Sequence, residues 1–406
     1  MIMNYEAQKK VITDFLHISE KAPNNFIIGA ELEYFVVDSA SERSISYYGK
    51  DGIKSLLEAL VSKGFQPTND DTNIVGVTNS FLAITLEPGA QFEISLNPQK
   101  SVEDLEQNCL QFMQIIEPIL KHRGQKLHSS GYHPVSKINE IKFIPKKRYD
   151  FMSEYLNNQG SMALNMMKGT ASVQVAIDFS SEQDFAKKML LASRLTPILS
   201  AIYDNSPVFE GSPYNDYCLR TKIWNNCDDD RCGIIPQIFH EDFGYEKYAE
   251  YLLNLIPIFI MQNGEAVKYV KPFKEIFDPF KNTEQQMNHI FSMCFPDVRA
   301  RNYIELRMTD SLPYPINIAF LKFINFVFYN SPVFEQTAEL LNEITMEDIN
   351  VAKRETINLG INAKFGNRTV IEYFREIMNF IGEQDVKHFE LNIAIAESGR
   401  IPRQFQ

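Results

Sequence analysis

Glu31 and Glu33 stand two residues apart in IGAELEYF (28–35), and Glu87 and Glu93 flank the Pro88-Gly89 turn in ITLEPGAQFEIS (84–95). Residues i and i+2 of a strand project from one face about 7 Å apart, so Glu31 and Glu33 sit side by side. None of these four acids has a Lys or Arg within its own strand. Like charges placed together repel, and a cluster of oxygen donors without a cation suits Mg²⁺ or Mn²⁺. The complementary charge lies further along: Arg301, Tyr303, Glu305 and Arg307 share one side of 301–307, and Arg220 and Arg231 lie in LRTKIWNNCDDDRCG (219–233). An arginine fork binds carboxylate or phosphate at two points. Acids that hold metals opposite arginines that hold anions is a layout for phosphoryl transfer.

Strands must position these side chains. Between 26 and 37, Ile28, Ala30, Leu32, Tyr34 and Val36 alternate with Gly29, Glu31 and Glu33. The stretch 82–96 breaks at Pro88-Gly89 and then sets Phe92, Ile94 and Leu96 against Gln91, Glu93 and Ser95. In 170–179, Ala171, Val173, Val175, Ile177 and Phe179 oppose Thr170, Ser172, Gln174, Ala176 and Asp178. Helical periodicity marks 51–63, 245–262, 315–330 and most of the last 70 residues, and Ser101 with Asp104 and Ser181 with Asp184 open two more helices. The order is not a strict βαβ alternation, so the pattern predicts an α+β fold with an antiparallel sheet.

The 406 residues carry 40 Lys plus Arg against 52 Asp plus Glu, a net charge of −12, with 44% apolar and 23% charged residues. That is a globular composition with ample core, and its acidity argues against a nucleic-acid surface. Five cysteines without a CxxC pair fit a reducing compartment, and no disulfide switch is expected. The charged first residues and the lack of an apolar run of about 18 predict a cytoplasmic protein with no membrane partner. No repeat or linker divides the chain. One composite domain spanning 1–406 is expected, its sheet-forming core over about 24–310 and a mostly helical part over about 311–406. GxxxxGK[ST], GxGxxG and HExxH are all absent.

Seven ordered blocks resemble the plant-type glutamate–cysteine ligases, distant relatives of glutamine synthetase. They are IGAELEYF, ITLEPGAQFEIS, PKKRYDFM (145–152), MALNMMKGTASVQVAIDFSSE (162–182), NSPVFEG (205–211), LRTKIWNNCDDDRCG and FPDVRARNYIELR (295–307), followed by a closing GRIPRQF. The resemblance implies a curved six-stranded antiparallel sheet forming a funnel, with helices packed behind it and ATP, glutamate and cysteine on its concave side. It implies an ATP- and Mg²⁺-dependent ligase that forms γ-glutamylcysteine through a γ-glutamyl phosphate, the first step of glutathione or related thiol synthesis.

On that resemblance, Glu31, Glu33, Glu87, Glu93 and Glu305 hold metal, and Arg307 acts on the phosphoryl group together with the acids Glu33 and Glu93. Gln91, Gln174 and Thr170 are polar substrate contacts, Arg220 and Arg231 bind anions, and Trp224 walls the pocket. A monomer or homodimer is implied. Gly169 stands where many members carry an arginine, with Lys168 beside it. The alternatives are a related ligase using another amino acid or amine, and a non-catalytic nucleotide or amino-acid sensor of the same fold.

Overall fold

In the computed structural model, which describes residues 4–262, 265–281, 284–381, 389–398 and 401, nine strands build one main sheet. They are β1 (Ile28–Asp38), β2 (Gln66–Asp70), β3 (Asn73–Thr78), β4 (Leu82–Leu86), β5 (Phe92–Gln99), β6 (Gln125–His128), β7 (Ser172–Ile177), β8 (Val298–Ala300) and β9 (Ile304–Asp310). Their order is β8-β9-β7-β1-β5-β4-β3-β2, and all neighbours run antiparallel. β6 takes over the edge of β1 at Phe35, past Leu32 where pairing with β7 ends.

The strand count of six is therefore corrected to nine. β2, QPTND, is exposed along its whole length, and β6 is only four residues long, so neither shows a hydrophobic alternation. Of the closing GRIPRQF, only Ile401 lies among the described residues.

β1 is buried on both faces. The Ile28, Ala30, Leu32, Tyr34 and Val36 face joins the main hydrophobic core, where helix Val102–His122 packs on β1, β5 and β6. That helix starts because the Ser101 side chain accepts the Asp104 main-chain N–H at 3.1 Å. Its buried stripe, Val102, Leu105, Cys109, Phe112, Ile116 and Leu120, follows helical spacing. Each large apolar side chain so buried contributes roughly 2 kcal/mol, and Phe112→Ala would cost about 3–5 kcal/mol. Helix Glu182–Ile202, capped by Ser181, packs on β8 and β9, and helix Ile316–Tyr329 on β7.

The helix expected over 245–262 ends at Asn254. Pro257 follows, and proline biases the residue before it away from the helical region. A short hairpin strand, Ile260–Gln262, takes the remaining length. Among the described residues no helix is long and apolar enough to cross a membrane.

The other face of β1, bearing Glu31 and Glu33, is roofed by helices Lys147–Leu156, Ala163–Gly169 and Leu219–Trp224 and by the segment 292–301. Between roof and sheet lies a cavity of about 380 Å³.

Candidate active site

Pairing of β1 with β5 sets Glu33 directly opposite Glu93, and Glu31 lies between Ser95 on β5 and Gln174 on β7. Glu87 closes β4 before the Pro88-Gly89 turn and also lines the cavity. In that turn a β-carbon at Gly89 would lie 2.6 Å from the Lys168 carbonyl oxygen, so only glycine lets the turn press against the end of helix Ala163–Gly169.

The acids do not share one electrostatic state. Burial, the Glu93 charge and the Glu87 charge push Glu33 up to about 8. Burial and Glu87 push Glu93 up to about 7, against a 2.5 Å hydrogen bond from Thr85 Oγ1. Burial, Glu93 and Glu305 likewise raise Glu31 well above the usual carboxylate range. Buried carboxylates that repel one another are short of positive charge, and their all-oxygen donor set matches what Mg²⁺ or Mn²⁺ requires. Among the described residues, however, no three such side chains are drawn close enough together to hold a metal ion.

Glu305 stands apart from the other acids expected to bind metal. It lines an adjoining recess instead of the main cavity. Burial works to raise it, but Arg299 at 2.7 Å and Arg307 at 2.9 Å bring it down to about 2. Arg307 Nη1 also donates to Gln174 Oε1 at 2.5 Å, and Gln174 Nε2 donates to Glu33 Oε1 at 2.9 Å. The second oxygen of Glu33 accepts from the Ser172 main-chain N–H at 2.7 Å. A continuous chain of hydrogen bonds thus runs from Arg299 through Glu305, Arg307 and Gln174 to Glu33, crossing four strands.

Arg220 and Trp224 lie four residues apart on helix Leu219–Trp224 and both line the cavity. The guanidinium lies 5.3 Å from the centre of the indole, a cation–π distance. Arg220 is only 6% exposed, and its Nε has no hydrogen-bond partner among the described residues. Burial lowers its pKa against the pull of Asp310 and Glu33. A buried arginine short of acceptors is poised to receive an anion.

Gln91 and Thr170 reach the cavity wall, yet their polar groups serve the backbone. Gln91 accepts from Gly89 N and donates to the carbonyls of Met167 and Thr170, and Thr170 Oγ1 donates to Met166 O.

Arg231 is a correction. It does not line the cavity: it is buried, pairs with Asp228 at 2.8 Å, and donates to Tyr155 Oη and the Ile256 carbonyl. Asp228 three residues before it supplies the anion expected from a ligand, so Arg231 clamps the roof together.

Three cations of the cavity wall were not singled out from sequence: Lys146 and Arg148 from the PKKRYDFM block and Arg299 from FPDVRARNYIELR, and Arg301, on the strand face read above, joins them there. The Arg148 guanidinium lies 4.8 Å from the Tyr149 ring centre, and Tyr149 Oη donates to Leu86 O at 3.2 Å. Extending the alternation Arg301, Tyr303, Glu305, Arg307 back by two residues is the signal that finds Arg299.

Gly169 leaves no room for a larger side chain, since a β-carbon there would meet the Tyr132 ring at 2.6 Å and Ile138 at 2.7 Å. Lys168 does not take the place of an arginine at the cavity; its ammonium donates to the Ile138 and Ile141 carbonyls.

A family model described as glutamate-cysteine ligase family 2 matches residues 27–370. Glutamate–cysteine ligase A of Oryza sativa subsp. japonica is 29% identical over 383 residues, covering 91% of this chain and 76% of the relative. Glutamate–cysteine ligase B of the same plant is 30% identical over 371 residues, covering 88% of this chain and 73% of the relative. Among solved structures, the glutamate–cysteine ligase of Francisella tularensis in complex with AMP superposes with a TM-score of 0.52 at 11% identity, covering 93% of this chain and 82% of that one.

Both rice proteins are chloroplastic, which overturns the cytoplasmic location expected above. Free cysteines speak only to redox environment, which does not separate a cytosol from a plastid interior.

Proposed function

The chain belongs to glutamate–cysteine ligase family 2, and from that premise we propose that it uses ATP to join the γ-carboxylate of glutamate to the amine of cysteine. The product is γ-glutamylcysteine, the first step toward glutathione or a related thiol. A carboxylate is a poor electrophile because attack would expel oxide. Transfer of the γ-phosphoryl group of ATP gives an acyl phosphate, which the amine then displaces.

The observation that carries this reading is the facing of buried acids and buried arginines across one cavity. Arg220 receives a carboxylate of the substrate, with Trp224 as the wall beside it. Arg307, held by Glu305 and Gln174, would stabilise the phosphoryl group in transfer. Lys146, Arg148 and Arg301 add positive charge for the remaining phosphates. Glu31, Glu33, Glu87 and Glu93 would hold Mg²⁺ or Mn²⁺, which when bound neutralises phosphate charge and raises the electrophilicity of phosphorus. On this reading the sheet curves around the cavity as the wall of a funnel, and the chain works as one composite catalytic domain.

A second reading is favoured by one feature. With glycine at 169 and Lys168 turned away, one cation that many family members present is missing, so a related acid or amine is the alternative substrate. Incubation with ATP, glutamate and each amino acid in turn tests both. Phosphate release without cysteine preference would sink the first.

A further inference from the structure

Arg220, Trp224 and Arg307 also line a second, smaller cavity of about 20 Å³, whose other polar walls are Asp297, Ser200, Thr221 and Lys353. That is room for about one water molecule. Lys353 comes from helix Met346–Leu359, in the C-terminal part of the chain, and is only 4% exposed. Its ammonium pairs with Asp297 Oδ2. Asp297 is fixed by its backbone, donating to Gly233 O at 2.8 Å and accepting the Arg307 N–H at 3.0 Å.

A carboxylate in this position competes for the guanidinium groups around it. Attraction between unit charges grows several-fold on leaving water, so an unneutralised Asp297 would draw in Arg220, whose Nε has no partner among the described residues. A guanidinium held by Asp297 offers fewer donors to a substrate.

We propose that Lys353 is a positioning residue: by engaging Asp297 it reserves Arg220 for the carboxylate of the acid substrate. This rests on the function proposed above, with glutamate as that acid. It also gives the C-terminal helical part a role in the site.

The test compares wild type with Lys353→Met, Asp297→Asn and the double variant, reading KM for glutamate and for ATP, glutamate affinity by calorimetry without ATP, and thermal unfolding. Lys353→Met should weaken glutamate binding and raise its KM by about ten-fold, the worth of one charge-assisted hydrogen bond, and leave KM for ATP unchanged. The double variant should return to within about three-fold of wild type, because no carboxylate remains to capture Arg220. A double variant as impaired as Lys353→Met, an equal rise in both KM values, or an Asp297→Asn loss as large as that of Lys353→Met would overturn the proposal. The last would make Asp297 a direct substrate contact. Failure of the proposed function shows separately, as a wild type that makes no γ-glutamyl product, while glutamate binding still decides the role of Lys353.

Discussion

Glu33 and Glu93 face one another across the β1–β5 register, one buried and one half-buried carboxylate with no cation on either strand. Such an arrangement costs folding energy, and residues that oppose stability are the ones function retains. Glu33→Gln and Glu93→Gln should each leave the unfolding temperature unchanged or higher, since a repulsion is removed, while turnover falls by about a hundred-fold or more. Normal activity in both variants at limiting Mg²⁺ would show that the site is misplaced.

Arg220 is buried with an unsatisfied Nε, so its removal should not destabilise the protein as the loss of a paired arginine would. Arg220→Met is expected to raise KM for glutamate by about thirty-fold with KM for ATP unchanged, and to melt no lower than wild type. A parallel rise for ATP would mean that Arg220 binds phosphate instead.

Arg231 should behave in the opposite way. Arg231→Met strands Asp228 without its partner, and breaking a buried pair costs about 3 kcal/mol. Denaturant unfolding should show that loss, while the protein that remains folded keeps near-normal KM values. A stable variant with a large rise in KM would restore Arg231 to the binding site.

His133 gives stability a pH dependence. Its Nδ1 accepts the main-chain N–H groups of Val135 and Ser136, and burial, aided by His128 and Arg43, holds the ring down to about 3 from an ordinary 6.5. The unfolded chain therefore binds the extra proton first. The contribution is complete above pH 6.5 and is lost as pH falls from there toward 3, by roughly 2 kcal/mol between pH 7 and pH 5. Urea midpoints at the two pH values should differ less in His133→Gln than in wild type. Equal differences would remove His133 from the account.

The acid-bearing strands were legible because period-two alternation survives wherever one face packs on helices, as in β1 and β5. The site acids followed from that alternation. What was not legible depends on approach from distant sequence. Lys146 and Arg148 reach the cavity from the start of a roof helix that meets Leu86 of β4 only in the folded chain. Arg231 read as an anion binder because an arginine fork takes carboxylate or phosphate, and spacing alone does not say that Asp228 already pairs with it. The exposed edge strand β2 carries no hydrophobic pattern, so the sheet was read as smaller than it is.

The most direct measurement is the mass of the product formed from ATP, glutamate and cysteine, with phosphate counted in the same reaction. The account predicts γ-glutamylcysteine and phosphate in equal amounts, with cysteine preferred over other amines. Phosphate release with no amide, or an amide formed equally well without cysteine, would contradict it.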